Sequence, residues 1–125
     1  MDVIVKKSKI EGLGVFASRD FKKGEIVIKW DISHQLTSDK IKEITEKEKK
    51  YVAHSNDKYI LMQSPAKYVN HSCDANTYAE NFCDVAKKNI KKGEEITGDY
   101  SEEGIPGEVM VCKCKSKNCR GVIKT

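Results

Sequence analysis

Three of the five cysteines of this chain fall within eight residues, Cys112-Lys113-Cys114-Lys115-Ser116-Lys117-Asn118-Cys119, with Cys73 and Cys83 upstream. Thiols clustered in this way inside a cell point to a metal before disulfides. Thiolates suit zinc, whose structural sites close with four ligands. Three would come from the tail and the fourth from elsewhere. C-x-C is tighter than the usual C-x2-4-C spacing, so a set of unligated surface thiols is the competing reading. Cys83 sits in a hairpin pattern and reads as a small core residue rather than a ligand. Gly12-Leu13-Gly14 is the other feature with chemical potential, because glycines let the main chain approach a ligand closely. It is only half a dinucleotide fingerprint, and nothing helical follows it, so a Rossmann-type site is not expected.

The elements that must position these residues are mostly short strands. Val3 and Val5, then Gly14-Val15-Phe16-Ala17, read as two strands around a turn at residues 10–14, and Glu25 to Trp30 as a third. Ser38 is the expected N-cap of a helix running to about Val52. Nine of the twelve residues from Asp39 to Lys50 are charged, while Ile41, Ile44, Tyr51 and Val52 fall near one face, which describes a surface helix. Tyr59 to Met62 is a short strand, residues 77–82 and 84–88 form a hairpin, and Glu94 to Thr97 and Glu108 to Val111 complete the set. Many strands and one helix predict a small, mainly β domain.

Composition narrows the function. The 125 residues hold 23 Lys+Arg against 19 Asp+Glu, a net charge of +4, and four thiolates around one divalent cation would lower it to +2. That is a weak footing for nucleic-acid binding, and no sequence-specific nucleic-acid partner is expected. The lysine pairs (Lys6-Lys7, Lys22-Lys23, Lys87-Lys88, Lys91-Lys92) read as solvated turns and edges. No run approaches the roughly 20 apolar residues of a membrane span, and the apolar stretch at the N-terminus is far shorter than a secretory signal. One domain with reduced thiols, in the cytoplasm or nucleus, is the expectation.

Three segments in order resemble the SET-domain family of protein lysine methyltransferases. They are Gly12-Leu13-Gly14-Val15-Phe16-Ala17 with Lys23-Gly24-Glu25, then Asn70-His71-Ser72-Cys73-Asp74-Ala75-Asn76, then Gly93-Glu94-Glu95-Ile96-Thr97-Gly98-Asp99-Tyr100. Cys112 to Gly121 is similar to the family's post-SET pattern C-x-C-x4-C-R-G. The resemblance implies a SET (β-clip) fold of small curved sheets with a C-terminal pseudoknot and one short helical insert. It divides the chain into a SET domain at 1–107 and a zinc-binding post-SET segment at 108–125, as in stand-alone SET proteins.

It also implies site roles. S-adenosylmethionine would be contacted around Gly12, Leu13 and Gly14 and by Asn70, His71 and Tyr100, with Tyr100 the catalytic residue. One structural zinc would be held by Cys73, Cys112, Cys114 and Cys119. The implied reaction is methyl transfer to a lysine of a protein substrate, histones being the family's best-known target. A SET module that binds cofactor and a partner but has lost activity is the alternative. Trp30 stands where many members carry a channel tyrosine, Tyr78 is a second aromatic on the channel side, and Ala75 replaces a proline. Gly98 replaces a bulky, commonly aromatic residue, which suggests a roomier channel and favours di- or trimethylation.

Overall fold

The computed structural model describes residues 2–55, 57–103, 109–112, 114, 116–117 and 119–124. The expected start of the last strand at Glu108 and the boundary between residues 107 and 108 lie outside the described residues. The elements, in chain order, are β1 (Val3–Lys7), β2 (Leu13–Ala17), β3 (Ile26–Lys29), β4 (Gln35–Leu36), α1 (Ser38–Glu43), α2 (Glu46–Lys49), β5 (Val52–Ser55), β6 (Lys58–Leu61), a 3-10 turn (Ala66–Tyr68), β7 (Asn70–His71), β8 (Thr77–Glu80), β9 (Cys83–Ala86), β10 (Glu95–Gly98), α3 (Tyr100–Glu103), β11 (Val109–Val111) and β12 (Val122–Lys124). They form small sheets ordered β1-β2-β10-β7, β3-β9-β8, β4-β6-β5 and β11-β12. The fold is mainly β, as expected.

The four-stranded sheet positions the site. Strand β10 lies between β2 and β7, antiparallel to the first and parallel to the second, with Thr97 opposite Asn70 and Gly98 opposite His71. The two segments with chemistry-bearing residues are thereby side by side, although 20-odd residues separate them. Val15, Ile60, Ile90 and Ile96 are essentially sealed from solvent in the core. No helix among the described residues is long and apolar enough to cross a membrane.

The expected helix from Ser38 to Val52 is corrected. Thr37, not Ser38, caps α1, its hydroxyl accepting from the Lys40 N–H. Ile44 is extended, and Thr45 starts α2 with a capping box in which Thr45 and Glu48 satisfy each other's backbone N–H groups. Val52 opens β5 and pairs with Leu61. The apolar stripe still does its work: Ile41 and Val52 pack with Leu36, Ile44, Tyr59 and Leu61 in a core of their own. The hairpin is where it was expected, but its turn holds Asn81 and Phe82 at φ of 51° and 58°. Two left-handed residues match the twist of the flanking strands, and asparagine tolerates this better than phenylalanine does.

Candidate functional site

Residues Ser8 to Gly14 fold over the end of the four-stranded sheet. The loop is closed by the Ser8 N–H donating to the Gly12 carbonyl at 2.8 Å, and Gly12 sits at φ 48°. Below it the Glu95 carboxylate accepts from the Ser8 hydroxyl at 2.8 and 2.9 Å and from the Asn70 amide at 3.0 Å. The same Asn70 Nδ2 donates to the Glu11 and Leu13 carbonyls at 3.0 Å each. Asn70 and Glu95 thus fasten the glycine loop to β7 and β10. A Cβ on Gly14 would lie 2.5 Å from Glu95 Oε2 and 2.9 Å from Ser8 Cβ. Gly14→Ala is expected to displace Glu95, break the Ser8–Glu95–Asn70 link and lower stability by about 1–3 kcal/mol; thermal unfolding checks this, and an unchanged melting temperature would contradict it.

A cleft of about 210 Å³ opens beside this loop, lined by Gly12, Leu13, Asn70, His71 and Tyr100 together with Tyr51, Lys67 and Tyr68. Lys67 Nζ stands 4.7 Å from the centre of the Tyr51 ring and 5.3 Å from that of Tyr68, an arrangement that puts cations and aromatic faces together. Ile123, from β12 in the tail, also lines it. Tyr100 opens α3; its hydroxyl donates to the Val69 carbonyl and its N–H to His71 Nδ1 at 3.0 Å. Burial holds the His71 pKa below its ordinary value, so the ring is neutral. With Nδ1 accepting from Tyr100, the proton resides on Nε2, which faces the Cys73 sulfur at 3.4 Å.

The second feature is a metal-ready cluster. The sulfurs of Cys73, Cys112, Cys114 and Cys119 all lie within 4.8 Å of one another. Cys73 and Cys112 are 3.7 Å apart. Sulfurs bound at about 2.3 Å to one tetrahedral zinc would be about 3.8 Å apart, so the four thiols can hold a zinc ion with little movement. Without a cation they cannot all ionise. Burial pushes the Cys112 thiol up to about 12, whereas at Cys114 hydrogen bonds from the Cys73 backbone and from Ser116 outweigh burial and hold the thiol down to about 5. Cys83 is half-buried in its hairpin, donates to the Asn81 carbonyl and stands apart from the cluster.

The structure brings together Gly12, Leu13, Asn70, His71 and Tyr100 at one cleft and gathers the four cysteines in one cluster, whereas Gly14 does not line the cleft and packs against Glu95 and Ser8. Gly98 is buried at the end of β10, where its carbonyl accepts from the Ser72 N–H. Trp30 and Tyr78 are not among the residues lining the cleft. Trp30 is in the main core, edge-on to Phe82 at 6.4 Å, and Tyr78 is 36% exposed on β8. Sequence reasoning missed Ser8, Glu95, Tyr51 and Lys67 as parts of the site. Lys67 precedes the Asn70 segment by three residues and Glu95 lies within a recognised motif. Nothing in the spacing joins Tyr51 to either.

Comparison with known proteins places this geometry in a family. The SET-domain sequence profile matches residues 12–101. Human histone-lysine N-methyltransferase 2D is 29% identical over 136 residues, covering 95% of this chain and 2% of that protein. Drosophila melanogaster histone-lysine N-methyltransferase trr is 30% identical over 141 residues, 95% of this chain and 6% of its own length. The chain therefore spans a small part of these curated relatives. A solved structure described as ctPRC2 in an autoinhibited conformation bound to S-adenosylmethionine gives a TM-score of 0.69 at 25% identity, over 82% of this chain and 15% of that one. The methyltransferase domain of human SETMAR gives 0.74 over 95% of this chain and 56% of that one, and at 18% identity it speaks for the fold alone. With Gly12-Leu13-Gly14, the Asn70 segment and Tyr100 all inside the matched span, this chain belongs to the SET-domain family.

Proposed function

We propose that the protein is a protein-lysine N-methyltransferase using S-adenosylmethionine, with one structural zinc. The observation that carries this reading is the convergence of the glycine loop, Asn70 and Tyr100 on one cleft that Ile123 of the tail also lines. The lining suits a zwitterionic nucleoside: Lys67 for a carboxylate, Asn70 and loop carbonyls for an ammonium group, and Tyr51 and Tyr68 for a base. When bound, S-adenosylmethionine supplies a methyl group on an electrophilic sulfonium. The chain's own part is to orient, through Tyr100, and to exclude water. A free lysine is neutral only about once in 2,500 molecules at pH 7, and a narrow apolar channel next to a positive charge favours the neutral amine. Four thiolates leave no open position on zinc, so the metal holds the tail rather than the substrate.

The names of the relatives favour a histone lysine as substrate, and with it a nuclear or cytoplasmic location. We assign residues 1–107 to the SET domain, 108–125 to the post-SET segment, and the lysine channel to Gly98 and Tyr78, with the small Gly98 favouring di- or trimethylation; Trp30, packed in the main core, is not assigned to it. Methyl transfer from labelled S-adenosylmethionine to a histone mixture tests the reading. Wild type should label a band, and Tyr100→Phe, which frees the Val69 carbonyl and loosens the turn, should lower the rate by about 10²-fold. Bound cofactor without transfer to any protein would favour a non-catalytic SET module instead.

A further inference from the structure

Arg120 makes a set of contacts that neither the fold nor the metal cluster requires. Its backbone N–H and its Nε both donate to the Cys73 sulfur at 3.3 Å. The far edge of the guanidinium reaches the turn before Tyr100, Nη2 donating to Asp99 Oδ1 at 2.9 Å and Nη1 to the Ser101 hydroxyl at 3.3 Å. Asp99 uses the same Oδ1 to accept from the Ser101 N–H at 3.0 Å and hydroxyl at 2.6 Å, which fixes the start of α3 around Tyr100. Burial alone would raise Asp99; the bonds from Ser101 and Arg120 outweigh it and keep the carboxylate ionised. One planar cation therefore spans a metal-ligand sulfur and the carboxylate adjoining Tyr100.

We infer that Arg120 is a positioning residue that couples metal binding in the tail to order in the Asp99–Tyr100 turn, and so to cofactor affinity in the cleft. The cofactor half of this inference rests on the function proposed above. A metal-bound Cys73 is a thiolate, and an N–H donor to an anionic sulfur makes a stronger, better-directed bond than one to a thiol. Loading the cluster would fix one edge of the guanidinium and hence the Asp99 carboxylate on the other. His71 offers a parallel link from Cys73 to the Tyr100 N–H, but its ring is buried and its removal would leave a hole. Arg120 is 44% exposed at its side chain and can be truncated without opening the core. Lysine cannot replace it: a point cation does not donate to sulfur and carboxylate with one rigid fork.

The test is a linkage cycle on the whole chain. S-adenosylmethionine affinity is measured by calorimetry with and without zinc, for wild type, Arg120→Ala and Arg120→Lys, with the zinc content of each determined. Hydrogen exchange at the Tyr100 amide follows the turn without reference to cofactor. Wild type is expected to gain about tenfold in affinity on zinc loading, within the usual range of coupling between sites, and to protect the Tyr100 amide. Arg120→Ala should still hold one zinc, yet show less than a threefold gain and little added protection, with Arg120→Lys close to it. Arg120→Ala with full coupling and full protection would overturn the inference. So would loss of zinc from that variant at saturating metal, because Arg120 would then serve the metal site itself. If wild type with zinc binds no S-adenosylmethionine, the cofactor reading falls. Zinc-dependent protection at Tyr100 that Arg120→Ala abolishes would still uphold the link from metal to turn, and its persistence in that variant would refute it.

Discussion

Cys114→Ser is expected to strip the tail of zinc and, with it, to lose most of the affinity of the cleft for S-adenosylmethionine. Cys114 is the most informative ligand to change because it is buried and its sulfur meets the other thiols and the Ser116 hydroxyl at 3.1 Å. Cys73, by contrast, also serves Arg120 and His71. A zinc site that loses one of four ligands should weaken by at least the 10–100-fold seen for second-shell partners. Besides the cluster, the described part of the tail is held by the Arg120 bonds to Asp99 and Ser101 and by the buried Ile123, while β11 and β12 pair with each other, closed by the Cys112 N–H on the Gly121 carbonyl at 2.9 Å. Ile123 travels with β12, lines the cleft and is 3% exposed. Freed from the cluster, it would leave that part of the lining open to water, and cofactor affinity should fall at least tenfold. A strong chelator should reproduce the loss in wild type and readdition of zinc should reverse it, more completely at higher pH because the ligands must shed protons. Stoichiometric zinc in Cys114→Ser, or zinc loss with cofactor affinity intact, would refute the coupling of tail and cleft.

The residues that were legible in the sequence are those whose chemistry is local. Cys112, Cys114 and Cys119 point to a metal by their clustering, and Asn70 to Cys73 and Glu95 to Tyr100 resemble their family counterparts as continuous strings. What was hidden depends on register. Antiparallel pairing of β10 with β2, Glu95 opposite Phe16, brings Glu95 to the glycine loop and makes it a partner of Ser8 across 87 residues. The helix misassignment has a local cause, since periodicity counted Ile41, Ile44, Tyr51 and Val52 on one face and overlooked the Thr45–Glu48 capping box that restarts the chain. Asp84 was hidden for a third reason: a carboxylate in a half-polar strand pattern reads as a solvent-facing residue, whereas its neighbours across both strands turn it inward.

Asp84 should make the protein lose stability as pH rises from about 4 to about 7, and Asp84→Asn should abolish that loss. On β9 it faces Ile28 of β3 and Ala79 of β8, and it is only 3% exposed. The polar group beside it is the Trp30 indole, whose Nε1–H is buried without a hydrogen bond of ordinary geometry but still favours the charged carboxylate. Burial dominates and raises the pKa to about 7 from the ordinary 3.8. The sign follows from proton counting. Between those two values the folded state keeps a proton that the unfolded chain has released, so folding becomes less favourable with each pH unit. At about 1.4 kcal/mol per unit this amounts to about 4 kcal/mol at most, complete above pH 7 and absent below pH 4. His71, held below its ordinary value, acts in the opposite direction, destabilising the fold as pH falls through its range. It is present in both proteins, so the difference between Asp84→Asn and wild type isolates Asp84. Denaturant unfolding at pH 4.5 and pH 8 should show the variant gaining several kcal/mol on wild type at the higher pH. Parallel stability curves would mean that Asp84 remains ionised in the folded core, with the Trp30 indole a stronger partner than its geometry suggests.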